Sequence, residues 1–284
     1  MTLQPLLSIG IPTFNRPDGL QQIVLSITQQ TYRNLEIIIS DNCSTEPEVA
    51  QMGEVLSERD RRIQFYQQPK NYGSTNNFKF VFEKATGEYF LWISDDDQIT
   101  DRDYLRKLMD EVVEGYDFVF PNVIKVDGTR KIKSENKKVN FESDVNAFQK
   151  HLQVIKKMYI GYQVVGGIYK INLLKSHSGF LFSSIYKKSY LDEEPFFHLM
   201  LSRFCWSYLD DTYYIKDMTD SVMNKMGFFD FLIPNLWNFI ACAGAISEAS
   251  YTNPEKVRLI FWKFLRALYV QSTMLGKKKG HFAQ

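Results

Sequence analysis

Tyr89-Phe90-Leu91-Trp92-Ile93-Ser94-Asp95-Asp96-Asp97 is an apolar run that ends abruptly in three carboxylates. A short apolar run closed by a polar turn suits a strand buried on both faces, as in parallel sheets. Adjacent carboxylates repel one another and lose hydration when buried, so stability alone does not favour them at a strand end. A divalent cation relieves that repulsion, because hard cations take carboxylate oxygens as ligands. A solvated acidic turn ahead of the next helix is the plainer alternative, and the flanking sequence has to choose between the two.

Working outward, the same pattern repeats. Leu6 to Ile11 is an apolar run ending at Pro12, followed by the polar loop Thr13-Phe14-Asn15-Arg16-Pro17-Asp18. Leu20, Ile23, Val24 and Ile27 then fall on one helical face, with Pro17-Asp18 as the start signal. Leu35 to Ile39 predicts a second strand, ending in Ser40-Asp41-Asn42, and Pro47 to Ser57 a second helix. Ile63 and Phe65 mark a third strand closed by Pro69. The loop Lys70-Asn71-Tyr72-Gly73-Ser74 opens a helix whose Phe78, Val81, Phe82 and Ala85 share a face, and Gly87 ends it. Beyond the acidic run, Tyr104, Leu105, Leu108, Met109, Val112 and Val113 stripe a helix ending near Gly115, and Phe118-Val119-Phe120 is a fifth strand.

Strands alternating with crossover helices predict an α/β fold with a doubly wound, mainly parallel, Rossmann-like sheet. Such sheets bind ligands outside the carboxyl ends of their strands. Thr13, Asn15 and Arg16, Asp41 and Asn42, Asn71 and Gly73, and Asp95 to Asp97 all follow a strand or precede a helix, so they should gather on one rim. That convergence favours the metal over the solvated turn.

Past Pro121 the pattern changes. Ile124 to Ile132 reads as a hairpin with an Asp127-Gly128 turn, ringed by Lys131, Lys133, Lys137 and Lys138 as a solvated surface. Val145, Phe148, Leu152 and Ile155 mark a helix, and Val164 to Tyr169 is strand-like, its Gly166-Gly167 pair open to a ligand's approach. Tyr190-Leu191-Asp192-Glu193-Glu194-Pro195 precedes a helix over Phe196 to Phe204, and Asp210-Asp211 leads into a strand over Thr212 to Ile215. Near the end, Asn253 as N-cap and Pro254 at the first helical position start a helix. Its apolar face is Val257, Ile260, Phe261, Phe264, Leu265 and Leu268; Lys256, Arg258, Lys263 and Arg266 lie off it, and Lys277 to Lys279 follow. Such a helix either docks on the domain by that face or lies with it on an anionic membrane surface.

Composition narrows the classes. The 284 residues divide into one domain over 1–225, with halves of 1–122 and 123–225, and a C-terminal helical extension over 226–284. A formal net charge of +1 gives no bulk argument for nucleic-acid binding. Cys43, Cys205 and Cys242 are far apart and form no CxxC pair, which argues against a disulfide framework or structural zinc and suits a reducing cytoplasm. No basic-then-apolar leader opens the chain, and the apolar stretch from Phe228 to Ile246 is interrupted by Asp230, Pro234, Asn235 and Asn238, so neither a secretory signal nor a span is expected.

Four rim segments together resemble a known family. Ile11-Pro12-Thr13-Phe14-Asn15-Arg16, Ser40-Asp41-Asn42-Cys43-Ser44-Thr45, Asn71-Tyr72-Gly73, and Gly87-Glu88-Tyr89 with Ser94-Asp95-Asp96-Asp97 resemble the family 2 glycosyltransferases of GT-A fold, in order and in spacing, over about the first 120 residues. The resemblance implies a nucleotide-sugar donor, most often a UDP-sugar, at the carboxyl edge of the sheet. Pro12, Thr13, Asn15 and Arg16 would contact the nucleotide and Asp41 would accept a hydrogen bond from an N–H of the base. Asn42, Asn71 and Gly73 would line the pocket, and Asp95 would reach the ribose. Asp96 would ligate Mn²⁺ or Mg²⁺, with Asp97 the alternative ligand because three successive Asp leave the register open. A diphosphate leaving group develops negative charge that a divalent ion stabilises, and an inverting transfer needs a carboxylate base for the acceptor hydroxyl. By position in the family that base is Glu193 or Glu194, with Asp192 next; Asp210 or Asp211 is a further alternative, and capping of the following helix is the non-catalytic explanation. His198 would orient the acceptor or be structural.

This chain has Thr75-Asn76-Asn77 where many relatives carry an Arg, and it lacks a QxxRW motif. The resemblance therefore implies single-sugar transfer onto a glycan or polyprenyl-linked acceptor at the inner membrane face, a role that the basic C-terminal helices would suit. O-antigen and capsule assembly are typical settings. A nucleotide-sugar-binding subunit without a base is the non-enzymatic alternative. A nucleotidyltransferase would show a Gly-rich phosphate loop after its first strand, and a haloacid-dehalogenase phosphatase a DxDx[TV] pattern where this chain has Ile99.

Overall fold

A computed structural model describes residues 4–127, 130–132, 146–157, 165–182, 193–217, 239–240, 242–247, 249 and 251–265. Four parallel strands form its first half: β1 (Leu7–Thr13), β2 (Leu35–Asp41), β3 (Ile63–Gln67) and β4 (Tyr89–Trp92). All seven residues of β1 and all seven of β2 are buried, which explains why both read as continuous apolar runs. Each fully buried Ile there, such as Ile9, Ile11 and Ile37, contributes about 1.5–3 kcal/mol relative to exposure. Between the strands run α1 (Pro17–Thr28), α2 (Pro47–Arg59) and α3 (Ser74–Lys84). Leu20, Ile23, Val24 and Ile27 are the buried residues of α1, as their spacing predicts.

Register brings the strand ends level. Thr13 pairs with Asp41 and Gly10 with Trp92, and Ile93 N–H still donates to the Gly10 carbonyl at 3.0 Å. The acidic run therefore leaves β4 beside Pro12 and Thr13. Helix α1 closes on the same spot: a Cβ on Gly19 would stand 2.3 Å from the Asp95 carbonyl oxygen, so only glycine permits this approach.

The sheet continues with β5 (Asp97–Gln98), β6 (Phe118–Asp127), β7 (Arg130–Ile132), β8 (Ile168–Lys170) and β9 (Trp206–Asp217), and α4 (Tyr104–Val113) sits between β5 and β6. Strand order is β3-β2-β1-β4-β8-β6-β9-β5, with β7 paired to β6. β1 to β4, β6 and β9 run one way, and β5, β7 and β8 oppose them. The short helices α6 (Ile171–Ser176) and α7 (Ser178–Leu181) follow β8.

Three expectations change here. The fifth strand and the first arm of the hairpin are one strand, β6, which passes through Pro121 because the ladder with β9 shifts register there. Pro121 pairs with Leu209 and Asn122 with Tyr213, so Asp210 to Thr212 bulge. Asp210 and Asp211 consequently sit inside β9 instead of ahead of it. Gly166, at φ +89, is approached by Tyr214 and Tyr104 of the protein itself, whose atoms would lie 2.8 and 3.1 Å from an added Cβ. That close packing, instead of a ligand, explains the glycine.

The residues group into two compact units. The first is Met1–Ser134, Tyr162–Phe182 and Cys205–Asp220, and holds the whole sheet; the second is Glu135–Gly161, Ser183–Phe204 and Ser221–Gln284. The units interleave in sequence, whereas the sequence pattern divides the chain once, near residue 225. In the second unit, α5 (Ala147–Lys157), α8 (Glu193–Arg203) and the C-terminal helix over residues 253–265 are described. Phe148, Leu152, Ile155, Ile246 and Leu259 form its core, with Tyr251, Ile260 and Trp262 packed against it. The C-terminal helix starts one residue earlier than expected. Thr252 caps it, its N–H and hydroxyl both donating to Glu255 Oε2 at 2.9 Å.

The helix also faces the other way. Leu259 and Lys263 are buried, at 0% and 6% exposure, while Val257, Phe261, Phe264 and Leu265 are 66, 54, 43 and 36% exposed. Most of the described part of that apolar face points outward, while its Ile260 packs on the core. Among the described residues no helix is long and apolar enough to cross a membrane. Gly128, Lys133, Lys137, Lys138, Val145, Val164, Asp192, Arg266, Leu268 and Lys277 to Lys279 lie outside the described residues, as does 228–238.

Candidate functional site

The loops after β1, β2 and β3 are clipped together by their own side chains. Asn15 adopts a left-handed backbone (φ 55), which Asn tolerates better than most residues. Its N–H donates to Ser44 Oγ at 2.8 Å, and its Oδ1 accepts from Thr45 N–H at 2.8 Å. Ser44 in turn donates to Asp41 Oδ1 from its N–H at 2.9 Å and from its hydroxyl at 2.5 Å. Asp41 is fully buried, and its Oδ2 accepts from Gln67 Nε2 at 3.3 Å. Asn42 bridges to the third loop, donating to Asn71 Oδ1 at 2.9 Å and accepting from Tyr72 N–H at 2.9 Å. Gly73 N–H donates to the same Asn71 oxygen at 2.8 Å, and Gly73 holds φ 83 at the start of α3. From the first turn of α3, Asn77 Nδ2 donates to the carbonyls of Ser40 at 2.9 Å and Thr13 at 3.3 Å, tying the ends of β1 and β2 together.

The three carboxylates of the acidic run meet three different environments. Asp95 is buried and turned toward β1: Thr13 Oγ1 donates to its Oδ2 at 2.7 Å, Phe14 N–H to the same oxygen at 3.4 Å, and Arg16 Nη1 lies 3.4 Å from Oδ1. Asp96 is the most open, its side chain 29% exposed, between Arg16 Nη1 at 2.8 Å and Lys216 Nζ at 3.1 Å. The Asp97 side chain has no exposed surface. It accepts a short hydrogen bond from the Tyr214 hydroxyl and lies 3.1 Å from Lys216 Nζ. Arg16 flanks the N-terminus of α1 with no side-chain cap bond, which leaves its guanidinium to the acidic run.

Charge states follow from these surroundings. Burial pushes the Asp95 carboxyl up, against the pull of Thr13 and Arg16. Burial pushes the same way at Asp96, but Lys216 and Arg16 prevail and hold it below the usual carboxylate range. Complete burial takes Asp97 up to about 7 in spite of Lys216. Burial works against the charge on Lys216, yet Asp97 and Asp96 keep its ammonium above the ordinary lysine value. Asp96 is thus the one carboxylate of the run that is both charged and open to a ligand.

The chemistry available is anion and cation binding at one rim. Among the described residues no group of three His, Cys, Asp or Glu side chains is placed to hold a metal ion. A divalent ion need not have three, since Mg²⁺ is commonly held by one or two carboxylates completed by substrate phosphates. Asp96 fits that part, with Arg16 and Lys216 beside it.

The remaining candidates fall elsewhere. Pro12 is buried within β1. Glu193 and Glu194 form the first turn of α8 in the second unit, and His198 is fully buried on the same helix. His198 Nδ1 lies 2.9 Å from His151 Nε2, and His151 Nδ1 lies 3.3 Å from the Tyr251 hydroxyl, a structural pairing within that unit. Lys216, Tyr214 and Asn77 are site residues that the motifs do not announce. The available signal is the alternation Thr212, Tyr214, Lys216 along one face of a strand, a cation at a position otherwise filled by buried groups.

The family model described as Glycosyl transferase family 2 matches residues 8–209. The GalNAc(5)-diNAcBac-PP-undecaprenol beta-1,3-glucosyltransferase of Campylobacter jejuni is 29% identical over 192 residues, covering 68% of this chain and 55% of that protein. The putative colanic acid biosynthesis glycosyl transferase WcaA of Escherichia coli is 37% identical over 100 residues, 35% of this chain and 36% of that protein. The chain spans about half the length of the curated relatives it matches, or less. Among solved structures, S. aureus TarS 1–349 in complex with UDP-GlcNAc superposes with a TM-score of 0.67 at 19% identity, over 92% of this chain and 72% of that one. The mannosyltransferase PcManGT from Pyrobaculum calidifontis in complex with GDP-Man and Mn²⁺ gives 0.62 at 13% identity, over 98% and 76%. At these identities the likeness establishes the fold, that of the GT-A glycosyltransferases.

Proposed function

The chain belongs to glycosyl transferase family 2, and on that premise we propose that it moves one sugar from a nucleoside-diphosphate sugar to a hydroxyl of a glycan or lipid-linked acceptor. The observation that carries this reading is the convergence, at the carboxyl ends of β1, β2 and β4, of Thr13, Arg16, Asp41 and an open, charged Asp96. Asp41, fully buried beneath the loop that Ser44 and Asn15 brace, would receive a base N–H in place of its contact with Gln67. Asn15, Asn42, Asn71 and Gly73 act by shaping that loop, since most of their polar atoms are engaged with one another. Asp95, oriented by Thr13, faces the ribose, and Arg16 neutralises diphosphate charge.

Asp96 would hold Mn²⁺ or Mg²⁺ together with donor phosphates, and the ion when bound stabilises the charge on the departing diphosphate. Asp97 acts as a buried support behind it. Transfer is inverting, with the acceptor hydroxyl deprotonated by a carboxylate at the start of α8, Glu193 or Glu194, or the preceding Asp192. UDP is the nucleotide favoured by the UDP-GlcNAc complex of TarS, and an undecaprenyl-type acceptor by the name of the Campylobacter relative. The outward apolar face of the C-terminal helix, bordered by exposed Arg258 and free of carboxylates, supports peripheral contact with anionic lipid at the cytoplasmic face, where such acceptors are elaborated in O-antigen or capsule assembly.

Release of UDP from a UDP-sugar, measured with and without Mn²⁺, tests the assignment. Asp96→Ala is expected to lower the metal-dependent rate by at least about 100-fold. One of Glu193→Gln and Glu194→Gln should lose transfer while still binding donor. Metal-dependent turnover that survives in Asp96→Ala would remove the central assignment.

A further inference from the structure

Lys216 is a largely enclosed cation on β9 that no rim motif contains, and it is paired with Asp96, the carboxylate proposed to hold the metal. Its Nζ lies 3.1 Å from Asp96 Oδ1 and 3.1 Å from Asp97 Oδ1, while Arg16 Nη1 takes Asp96 Oδ2 at 2.8 Å. Both oxygens of the one open carboxylate are therefore already paired with a positive charge. The two partners differ in freedom. The Arg16 side chain is 40% exposed and hangs from the uncapped start of α1. The Lys216 side chain is 16% exposed, β9 is paired with β6 on one side and β5 on the other, and Asp97 grips the ammonium from below. An anion arriving from solvent can draw Arg16 aside. Drawing Lys216 aside would leave the fully buried Asp97 without its cation, which is strongly unfavourable.

Building on the donor-site reading, we propose that Lys216 is a positioning residue that makes divalent-cation binding conditional on the donor. Its fixed positive charge, a few ångströms from Asp96, repels a divalent ion that comes alone and occupies one of the two oxygens that Asp96 could offer it. A nucleoside diphosphate reverses both effects. Its negative charge offsets the repulsion, its oxygens complete the coordination, and its attraction for Arg16 frees the second oxygen of Asp96. The consequence is ordered loading: nucleotide and metal arrive together, and the rim does not accumulate free Mn²⁺.

The test is Mn²⁺ binding followed by loss of the free-ion electron paramagnetic resonance signal, without nucleotide and with UDP. Without nucleotide, Lys216→Met is expected to bind Mn²⁺ about tenfold more tightly than the wild type, and Lys216→Arg to stay as weak as the wild type. The double variant Asp97→Asn with Lys216→Gln removes both buried charges together; it should fold if the single variant does not and show the same gain. Equal Mn²⁺ affinity in wild type and charge-removing variants overturns the proposal, as does micromolar binding of Mn²⁺ by the nucleotide-free wild type. A purely structural role for Lys216 would lower the melting temperature of Lys216→Met without raising its Mn²⁺ affinity. Failure of UDP with Mn²⁺ to bind the wild type at all would instead overturn the donor site, a separate result in the same measurement.

Discussion

The rim of the first unit and the C-terminal helix of the second are built in opposite ways. At the rim, most buried polar groups are paired with one another: Asp41 with Ser44, Asp95 with Thr13, Asp97 with Tyr214 and Lys216. On the helix, Phe261 and Phe264 are about half exposed, Phe264 edge-on to Phe239, while Lys263 is buried. A buried polar group costs free energy unless it is paired, so each rim contact implies a specific partner and holds a specific shape. An exposed apolar side chain makes no such demand, and the proposed lipid contact is what a row of them would serve. The rim is rigid by necessity, and the helix face is available.

The contrast can be broken first at the acidic run, where the largest effect is expected. Asp97→Ala breaks the fully buried half of the ion-pair cluster, leaving Lys216 only the partly solvated Asp96 and the Tyr214 hydroxyl no acceptor, and should cost about 3–5 kcal/mol of stability. Asp96→Ala removes a carboxylate that is partly solvated and leaves Lys216 its bond to Asp97, so it should change stability by less than about 1 kcal/mol while abolishing metal-dependent turnover. Urea denaturation of both variants, set beside their UDP release, checks the separation. Equal destabilisation by the two would mean that the run has no inside and outside.

Much of the rim is legible in the sequence because connectivity dictates it. Once strands alternate with helices, the residues after Ile11, Ile39 and Ile93 must come out at one edge, and the register of β1 with β2 and β4 puts them there. What sequence leaves open is which of three identical carboxylates faces which partner. That depends on Lys216, about 120 positions later, reached through a bulge at Asp210 to Thr212 that no local pattern announces. The helix shows the complementary limit. A stripe of Val257, Phe261, Phe264 and Leu265 establishes amphipathicity but not which side docks; here the core of the second unit takes Leu259 and leaves the stripe outside. Its start moved for a local reason, since the Glu255 carboxylate reaches back to the N–H and hydroxyl of Thr252.

A second pair of substitutions sharpens the contrast on the helix itself. Leu259→Ala empties a site in the core of Phe148, Leu152, Ile155 and Ile246 and should cost about 2–5 kcal/mol. Phe261→Ser on the outer face should stay within about 0.5 kcal/mol of the wild type. The same variant should lower partitioning onto vesicles rich in phosphatidylserine, and sedimentation of the protein with such vesicles measures it. Unchanged partitioning in Phe261→Ser combined with Phe264→Ser would leave the outer face without a lipid partner.

The smallest effect is absent at neutral pH and appears on acidification. His151 and His198 are fully buried and share a 2.9 Å contact, with the Tyr251 hydroxyl on the far nitrogen of His151. Burial, reinforced by the neighbouring imidazole, holds His151 well below the ordinary 6.5. A histidine depressed in the folded state contributes stability that is complete above its unfolded value and is lost as pH falls toward the folded one. The second unit should therefore lose stability below about pH 6.5, a loss that His151→Phe, which carries no proton there, should reduce. Urea midpoints at pH 7.5, 6.5 and 5.5, followed by a probe near Trp262, read the slope in the second unit. A wild-type slope that the substitution leaves unchanged would assign the acid sensitivity to other groups and remove the pair from the list of differences between the two units.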